Sequence, residues 1–384
     1  MTLVLSEEQE LLKTSAREFV SATFQVDQVR QFRDQATDNQ QARLRYSREH
    51  WRRMAGLGWT GIIFPEAYGG LGLGYAELGV VLEELGRRLA PQPFLSTVLL
   101  AGNALLLGGS ETQKQAWLPG ICSGDKVLAL AHQESGRFAP WQVRTRARRE
   151  GQGFRLSGEK RFVLDGYGAD QLMVLARTDG NPDDRDGLTL FLIDPRAAGL
   201  GITDLQVLDS RNAALITLDE VRVSADQVVG EVGRAADFME IVFERATAGL
   251  NAELVGTMSE AFSRTLEYLK TRQQFGVLIG TFQALKHRAA DVYCEQELAI
   301  SLTLAALRAI DDDSNERSLM ISAAKARASD AANLIGRESI QMFGGIGMTD
   351  EEDIGLFMKR ARVAEMTLGD SAYHRQRFAD LSAF

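Results

Sequence analysis

The sequence predicts an α+β protein of several domains: an N-terminal helical domain, a middle antiparallel β domain and a C-terminal four-helix bundle. Three observations carry this expectation. The chain has 384 residues, more than one hydrophobic core usually serves, so two or three packed units are expected. The apolar pattern changes period twice, from helical to alternating near residue 127 and back to helical near residue 237. All seven prolines, at 65, 91, 93, 119, 140, 182 and 195, fall in the first 195 residues. The proline-free remainder permits long uninterrupted helices, because proline removes a helix hydrogen bond and clashes with the preceding turn. The boundaries that follow are 1–125, 126–231 and 232–384.

The elements follow in order. Ser6, with Gln9 three residues on, makes a capping box ahead of Leu11, Leu12, Ala16, Phe19 and Val20 at helical spacing. A second helix is expected over 46–57, ending at Gly58. Residues 64–74 are glycine-rich and form a loop, and the next helix covers 75–89 and stops before Pro91. Six short apolar or alternating runs come next, at 127–131, 143–147, 154–156, 171–176, 188–193 and 215–223. Turn clusters such as Asp179-Gly180-Asn181-Pro182 separate them without helical patterns between, which implies an antiparallel sheet or small barrel. Helices return at 237–271, from Leu285 to Leu307, and at 318–339, the last running toward Gly344-Gly345. Residues 311–316, Asp-Asp-Asp-Ser-Asn-Glu, read as a solvated turn. These long helices make most of a four-helix bundle.

Composition limits the chemistry. Hydrophobic residues are 45% and charged residues 25%, as in ordinary globular proteins. The net charge of −9 argues against a nucleic-acid partner. The most apolar stretch, 94–109, is broken by Ser96, Thr97, Gly102 and Asn103 and is too short to span a bilayer. The first residues lack a cationic segment before an apolar one, so no secretory signal and no membrane association are expected. Cys122 and Cys294 stand far apart, which fits a reducing compartment and a cytoplasmic protein. His50, His132, His287 and His374 are scattered and form no metal-ligand motif, so no metal is expected. A chain this long with so few nucleophiles and ligands does no chemistry or borrows it from an organic cofactor.

Four segments, in order, carry a resemblance. They are Pro65-Glu-Ala-Tyr-Gly-Gly-Leu-Gly with Glu83-Glu-Leu-Gly, Leu156-Ser-Gly-Glu-Lys-Arg-Phe, Arg272-Gln-Gln-Phe-Gly-Val-Leu-Ile-Gly-Thr-Phe-Gln, and Gln341-Met-Phe-Gly-Gly-Ile-Gly. With them the chain resembles the acyl-CoA dehydrogenase family over essentially its whole length. The resemblance implies flavin adenine dinucleotide (FAD) as cofactor, an acyl-CoA substrate and electron-transfer flavoprotein as acceptor. A carboxylate removes a proton beside the thioester carbonyl, and the adjacent carbon passes hydride to the flavin. The cofactor lies between subunits. The resemblance assigns Arg272, Gln274, Phe275, Gly276, Phe282, Gln283, Gln341, Gly344 and Gly345 to the adenosine and phosphate half of a neighbour's FAD. His132 and Phe162 it assigns to the flavin ring. The residue types suit these tasks. A planar guanidinium at Arg272 can pair two phosphate oxygens, Phe275 offers a face to adenine, Gly276 permits close backbone approach, and Gln283 carries donor and acceptor on one amide. The residues alone read rather as a polar helix end with a turn glycine and a buried Phe.

The departures from the family point further. The threonine of its Thr-Glu-Pro motif aligns with His132, a larger and titratable donor that also reads as a histidine packed at a strand end. Phe162-Val-Leu-Asp keeps the aromatic wall beside the flavin but puts Leu164 where a threonine hydroxyl would bond the ring. The family's base glutamate aligns with Leu368. The alternative base position, ten residues before Gly256, holds Ala246. Glu244, about 200° around the helix from Ala246, together with Glu253 and Asp370, are the carboxylates nearest these positions; each also reads as structural, and the catalytic base is unknown. Groups serving the chain's own flavin are altered, whereas groups lent to a neighbour remain. The chain is therefore similar to the small subunit of heteromeric bacterial enzymes of the pimeloyl-CoA dehydrogenase type, which pair with a larger homologous subunit and act on bulky or dicarboxylic thioesters. The alternatives are a homotetramer with its own flavin and an unusual base, and a non-catalytic structural partner.

Overall fold

The computed structural model describes residues 4–34 and 43–383. The chain divides into two compact units, Phe32–Leu73 with Pro91–Ala246, and Met1–Gln31 with Gly74–Ala90 and Thr247–Phe384. The three-part order of helices, sheet and helical bundle is the one the sequence predicts.

The sheet lies in the unit built on Pro91–Ala246. Its strands are β1 (Leu128–Ala131), β2 (Arg146–Glu150), β3 (Gly153–Leu164), β4 (Gln171–Arg177), β5 (Leu188–Ile193), β6 (Leu200–Asp204), β7 (Ala213–Val223) and β8 (Val228–Val229). The order is β6-β7-β3-β2-β4-β5-β8, with β1 beside β4. Most ladders are antiparallel, as expected; β1 and β2 run parallel to β4. Every residue of β4 and β5 is buried, which explains why both read as unbroken apolar runs rather than alternating ones. Phe154, Leu156, Leu172, Val174, Phe191, Ile216 and Val221 form much of the core. β3 is far longer than the 154–156 run because its polar half is ordered by pairing with β7, through two register shifts that mark bulges. The strand expected over 143–147 starts instead at Arg146, and β6 and β8 were too short and glycine-punctuated to read. Arg177, at the end of β4, is fully buried and donates to the carbonyls of Trp141, Val143, Asp179, Pro182, Asp184 and Asp186. One guanidinium thus satisfies two loops that have no ladder of their own.

The helical unit holds Glu7–Thr23, Tyr75–Arg87, the part of Ala236–Thr271 from Thr247 onward, Gln283–Asp311, Arg317–Phe343, Ile354–Met366 and Ser371–Leu381. The capping box of Ser6 and Gln9 forms as expected. Helices Tyr75–Arg87 and Ala236–Thr271 meet through glycines: a Cβ on Gly86 would stand 2.1 Å from the Glu253 carbonyl oxygen, and one on Gly256 1.8 Å from that of Glu83. The solvated turn expected at 311–316 needs correction at its first residue. Asp311 closes the preceding helix, and its carboxylate accepts the backbone N–H groups of Tyr75 (2.6 Å) and Ala76 (2.9 Å). It caps a helix whose own N-cap, Gly74, has no side chain to offer. The helices Ile354–Met366 and Ser371–Leu381 escaped the sequence reading because charged residues interrupt their apolar faces. Arg360 is buried on the first of them and pairs with Glu253.

Candidate flavin interface and catalytic positions

The Arg272 motif folds into a minimal hairpin between two long helices. Strands β9 (Gln273–Gln274) and β10 (Val277–Leu278) pair through a two-residue turn of Phe275 and Gly276. Both turn residues have positive φ, +52° and +78°, the requirement of the tight hairpin turn whose twist matches its strands. Gly276 meets it without strain. Phe275 is a bulky residue held in the left-handed region, an uncommon and costly state. It is also 91% exposed, with Phe282 edge-on to it at 6.2 Å. The buried Phe of the residue-only reading is therefore excluded. Arg272, Gln274 and Gln283 are exposed beside it, and no ion pair among the described residues engages the Arg272 guanidinium.

An apolar floor of Leu269, Ile279 and Met342, flanked by Tyr268 and Leu285, joins this hairpin to the end of helix Arg317–Phe343. Tyr268 stacks on Phe343 with centroids 4.3 Å apart. Gln341, Gly344 and Gly345 are thereby brought to the hairpin, and all three are exposed. Gly344 ends the helix with φ +70°. A Cβ on Gly276, Gly344 or Gly345 would meet nothing within 4 Å. Open backbone, a free guanidinium and an exposed aromatic face are the donor set that a nucleotide diphosphate needs, so this end fits FAD.

The flavin-ring side differs. His132 follows β1, and both its ring nitrogens are sealed from solvent with no side chain bonded to them. Phe138 and Phe243 close on it, with centroids at 6.1 and 5.0 Å. Burial, reinforced by the Lys160 charge, pushes the imidazole down to about 4, so it is neutral at pH 7. Beneath it the buried Lys160 donates to Glu134 (2.6 Å) and to the His132 carbonyl (3.3 Å). Burial brings Lys160 down to about 8. The Glu134 carboxylate accepts from the backbone of Arg144 (2.7 Å) and Thr145 (3.0 Å); burial opposes its charge, but Lys160 and these donors hold it below the usual range. Phe162 is 45% exposed with φ +53°. Apart from Phe162, the side chains here are satisfied by or covered with their own neighbours, and this end does not fit a flavin ring.

The two positions where the family places a base hold buried apolar side chains, Leu368 and Ala246. Leu368 sits at φ +59°, and its carbonyl is bonded to His374 Nε2 at 2.9 Å. Among the candidate carboxylates, Glu253 pairs with Arg360 at 3.1 Å. Asp370 caps helix Ser371–Leu381 by accepting the Tyr373 N–H at 2.9 Å, and Glu244 is buried. Sequence reasoning did not find Phe138, Trp141 and Phe243 around His132. No local signal marks them, because they come from a loop and from a distant helix.

Comparison with known proteins gives the class to which this fold and site belong. The acyl-CoA dehydrogenase N-terminal, middle and C-terminal domain models match residues 6–125, 131–221 and 236–381. The chain belongs to the acyl-CoA dehydrogenase family, whose members are FAD-dependent oxidoreductases. Acyl-CoA dehydrogenase FadE27 of Mycobacterium tuberculosis is 30% identical over 340 residues, 87% of each chain. Among solved structures, a variant of the Tcur3481-Tcur3483 steroid ACAD is 32% identical with a TM-score of 0.85, covering all of this chain and 99% of that one. The ChsE4-ChsE5 complex from Mycobacterium tuberculosis is 26% identical with a TM-score of 0.87 and the same coverage. No described helix is long and apolar enough to cross a membrane.

Proposed function

We propose that this chain is the smaller subunit of a heterotetrameric acyl-CoA dehydrogenase and completes the FAD site of a larger homologous subunit. One observation carries the reading. Phe275 is held exposed in a strained backbone state, and both the exposure and the strain are costs that the isolated fold does not recover. An adenine seated on the ring and phosphates against Arg272 would recover them. Arg272, Gln274, Phe275, Gly276, Phe282, Gln283, Gln341, Gly344 and Gly345 are the groups this chain would lend. Bound FAD supplies the hydride acceptor for α,β-dehydrogenation of an acyl-CoA thioester. The base comes from the partner, because Leu368 and Ala246 cannot take a proton. That two relatives carry paired protein names, one of them called a complex and the other a steroid ACAD, supports a two-chain enzyme acting on a bulky thioester. Electron-transfer flavoprotein is the proposed acceptor.

A self-sufficient homotetramer would need Glu244 or Asp370 as base, and Asp370 is already engaged as a helix cap. The readings separate when the chain is purified alone and co-purified with a larger homologue that carries the family's base. The chain alone is expected to be colourless. The pair is expected to carry flavin absorbance that bleaches anaerobically on adding an acyl-CoA. Bleaching by the chain alone would overturn the proposal.

A further inference from the structure

We infer that this chain's own flavin-ring site is closed by an aromatic plug, in which Phe138 and Phe243 occupy the face of His132 that a ring would need. The proposal deepens the reading of the chain as a lending subunit and rests on it for the identity of the excluded ligand.

The three rings form a closed set, since Phe138 and Phe243 also meet edge-to-face at 5.5 Å. Trp141 covers Phe243 from outside at 6.0 Å. The Arg185 guanidinium lies over Trp141 at 4.6 Å and pairs with Glu240 at 2.5 Å. Glu240 and Phe243 share one helix. The result is a continuous series of tilted ring contacts, His132, Phe243 and Trp141, closed by Arg185 and tied at its outer end to the helix that supplies its middle. Its loop side is pinned as well, because Arg177 holds the carbonyls of Trp141 and Val143. Edge-to-face rings and a cation on an indole are each favourable arrangements.

The plug explains the state of His132. His132 as a whole is part-exposed, yet both its ring nitrogens are shut off from water, and the surrounding rings supply that seal. A donor meant for a flavin carbonyl would have at least one nitrogen reachable, and neither is. Flavin is therefore excluded by occupancy as well as by the lost hydroxyl at Leu164. The exclusion is reversible by truncation, since an emptied apolar cavity stays available to a flat aromatic ligand.

The test uses the full chain without its partner. Wild type, Phe138→Ala and the double variant Phe138→Ala/Phe243→Ala are titrated with FMN and with FAD, following flavin fluorescence and the His132 imidazole NMR signals. Wild type is expected to leave the fluorescence unchanged and its His132 signals unmoved. The double variant is expected to bind FMN at least about tenfold more tightly than wild type and to shift His132, with Phe138→Ala between the two. Binding of one flavin per wild-type chain would overturn the plug, as would a folded Phe138→Ala chain that neither binds more tightly nor shifts His132. FMN lacks the adenosine half that Arg272 and Phe275 would contact, so failure here is distinct from failure of the lending reading, which is tested in the assembled pair.

Discussion

Phe275 combines a left-handed backbone with an exposed ring. A left-handed φ favours Gly or Asn, and burial favours Phe; this position has the first without the second. Phe275→Asn should relieve strain of roughly 1 kcal/mol while removing no buried contact. The melting temperature of the isolated chain is expected to rise, and the flavin content of the co-purified pair to fall. Calorimetry and absorbance read the two effects, and a lower melting temperature would mean the ring supports this chain's own fold. The motif around Phe275 was legible in sequence because its parts are contiguous. Its exposure was not legible, since a lone Phe after two glutamines reads as buried by default.

Among elements, the contact of helices Tyr75–Arg87 and Ala236–Thr271 is set by Gly86 and Gly256, where each backbone fills the other's missing Cβ. Gly256→Ala has backbone rather than a yielding side chain in its way. It should cost more than about 3 kcal/mol by forcing the helices apart, measured by denaturant unfolding. The junction of helices Arg317–Phe343, Ile354–Met366 and Ser371–Leu381 carries a pH dependence. Lys325 is fully buried and donates to the Ala364 carbonyl at 2.5 Å. Burial pushes it down to about 7, against the pull of Glu365 and Asp370, whereas the unfolded chain holds that proton to about pH 10.4. Between those values the unfolded state binds more protons, so this group makes stability rise from pH 7 toward 10. His374, pushed down to about 3 mainly by burial, adds a separate rise between pH 3 and about 6.5. Lys325→Met is expected to flatten the upper window and, because the Lys325 charge also pushes His374 down, to narrow the lower one without removing it, as seen in urea midpoints against pH. At this scale legibility followed sequence distance. The Ser6–Gln9 capping box was readable because its partners are three residues apart. The Asp311 cap was not, because it closes a helix that begins 236 residues earlier.

For the whole molecule the reading is a division of labour. The groups left exposed and unsatisfied (Arg272, Phe275, Gln341, Gly345) are those a neighbour's cofactor would use. Apart from the exposed Phe162, the groups that would serve an own site are sealed, paired or replaced: His132 under its rings, Glu134 with Lys160, and Leu368 and Ala246 in place of a base. The sequence showed the replacements, because a missing glutamate is visible in one dimension. It could not show the closure, which joins residues 132, 138 and 141 to residue 243 and exists only once β1, its following loop and a helix are folded together. The most direct test of lending is Arg272→Ala in this chain, co-purified with a wild-type larger subunit. If Arg272 pairs the phosphates of the partner's FAD, loss of a charge-assisted bond of about 1.5–3 kcal/mol should weaken FAD binding by roughly tenfold to a hundredfold. The pair should remain assembled and regain flavin at high added FAD. Unchanged flavin affinity in an intact pair would contradict it.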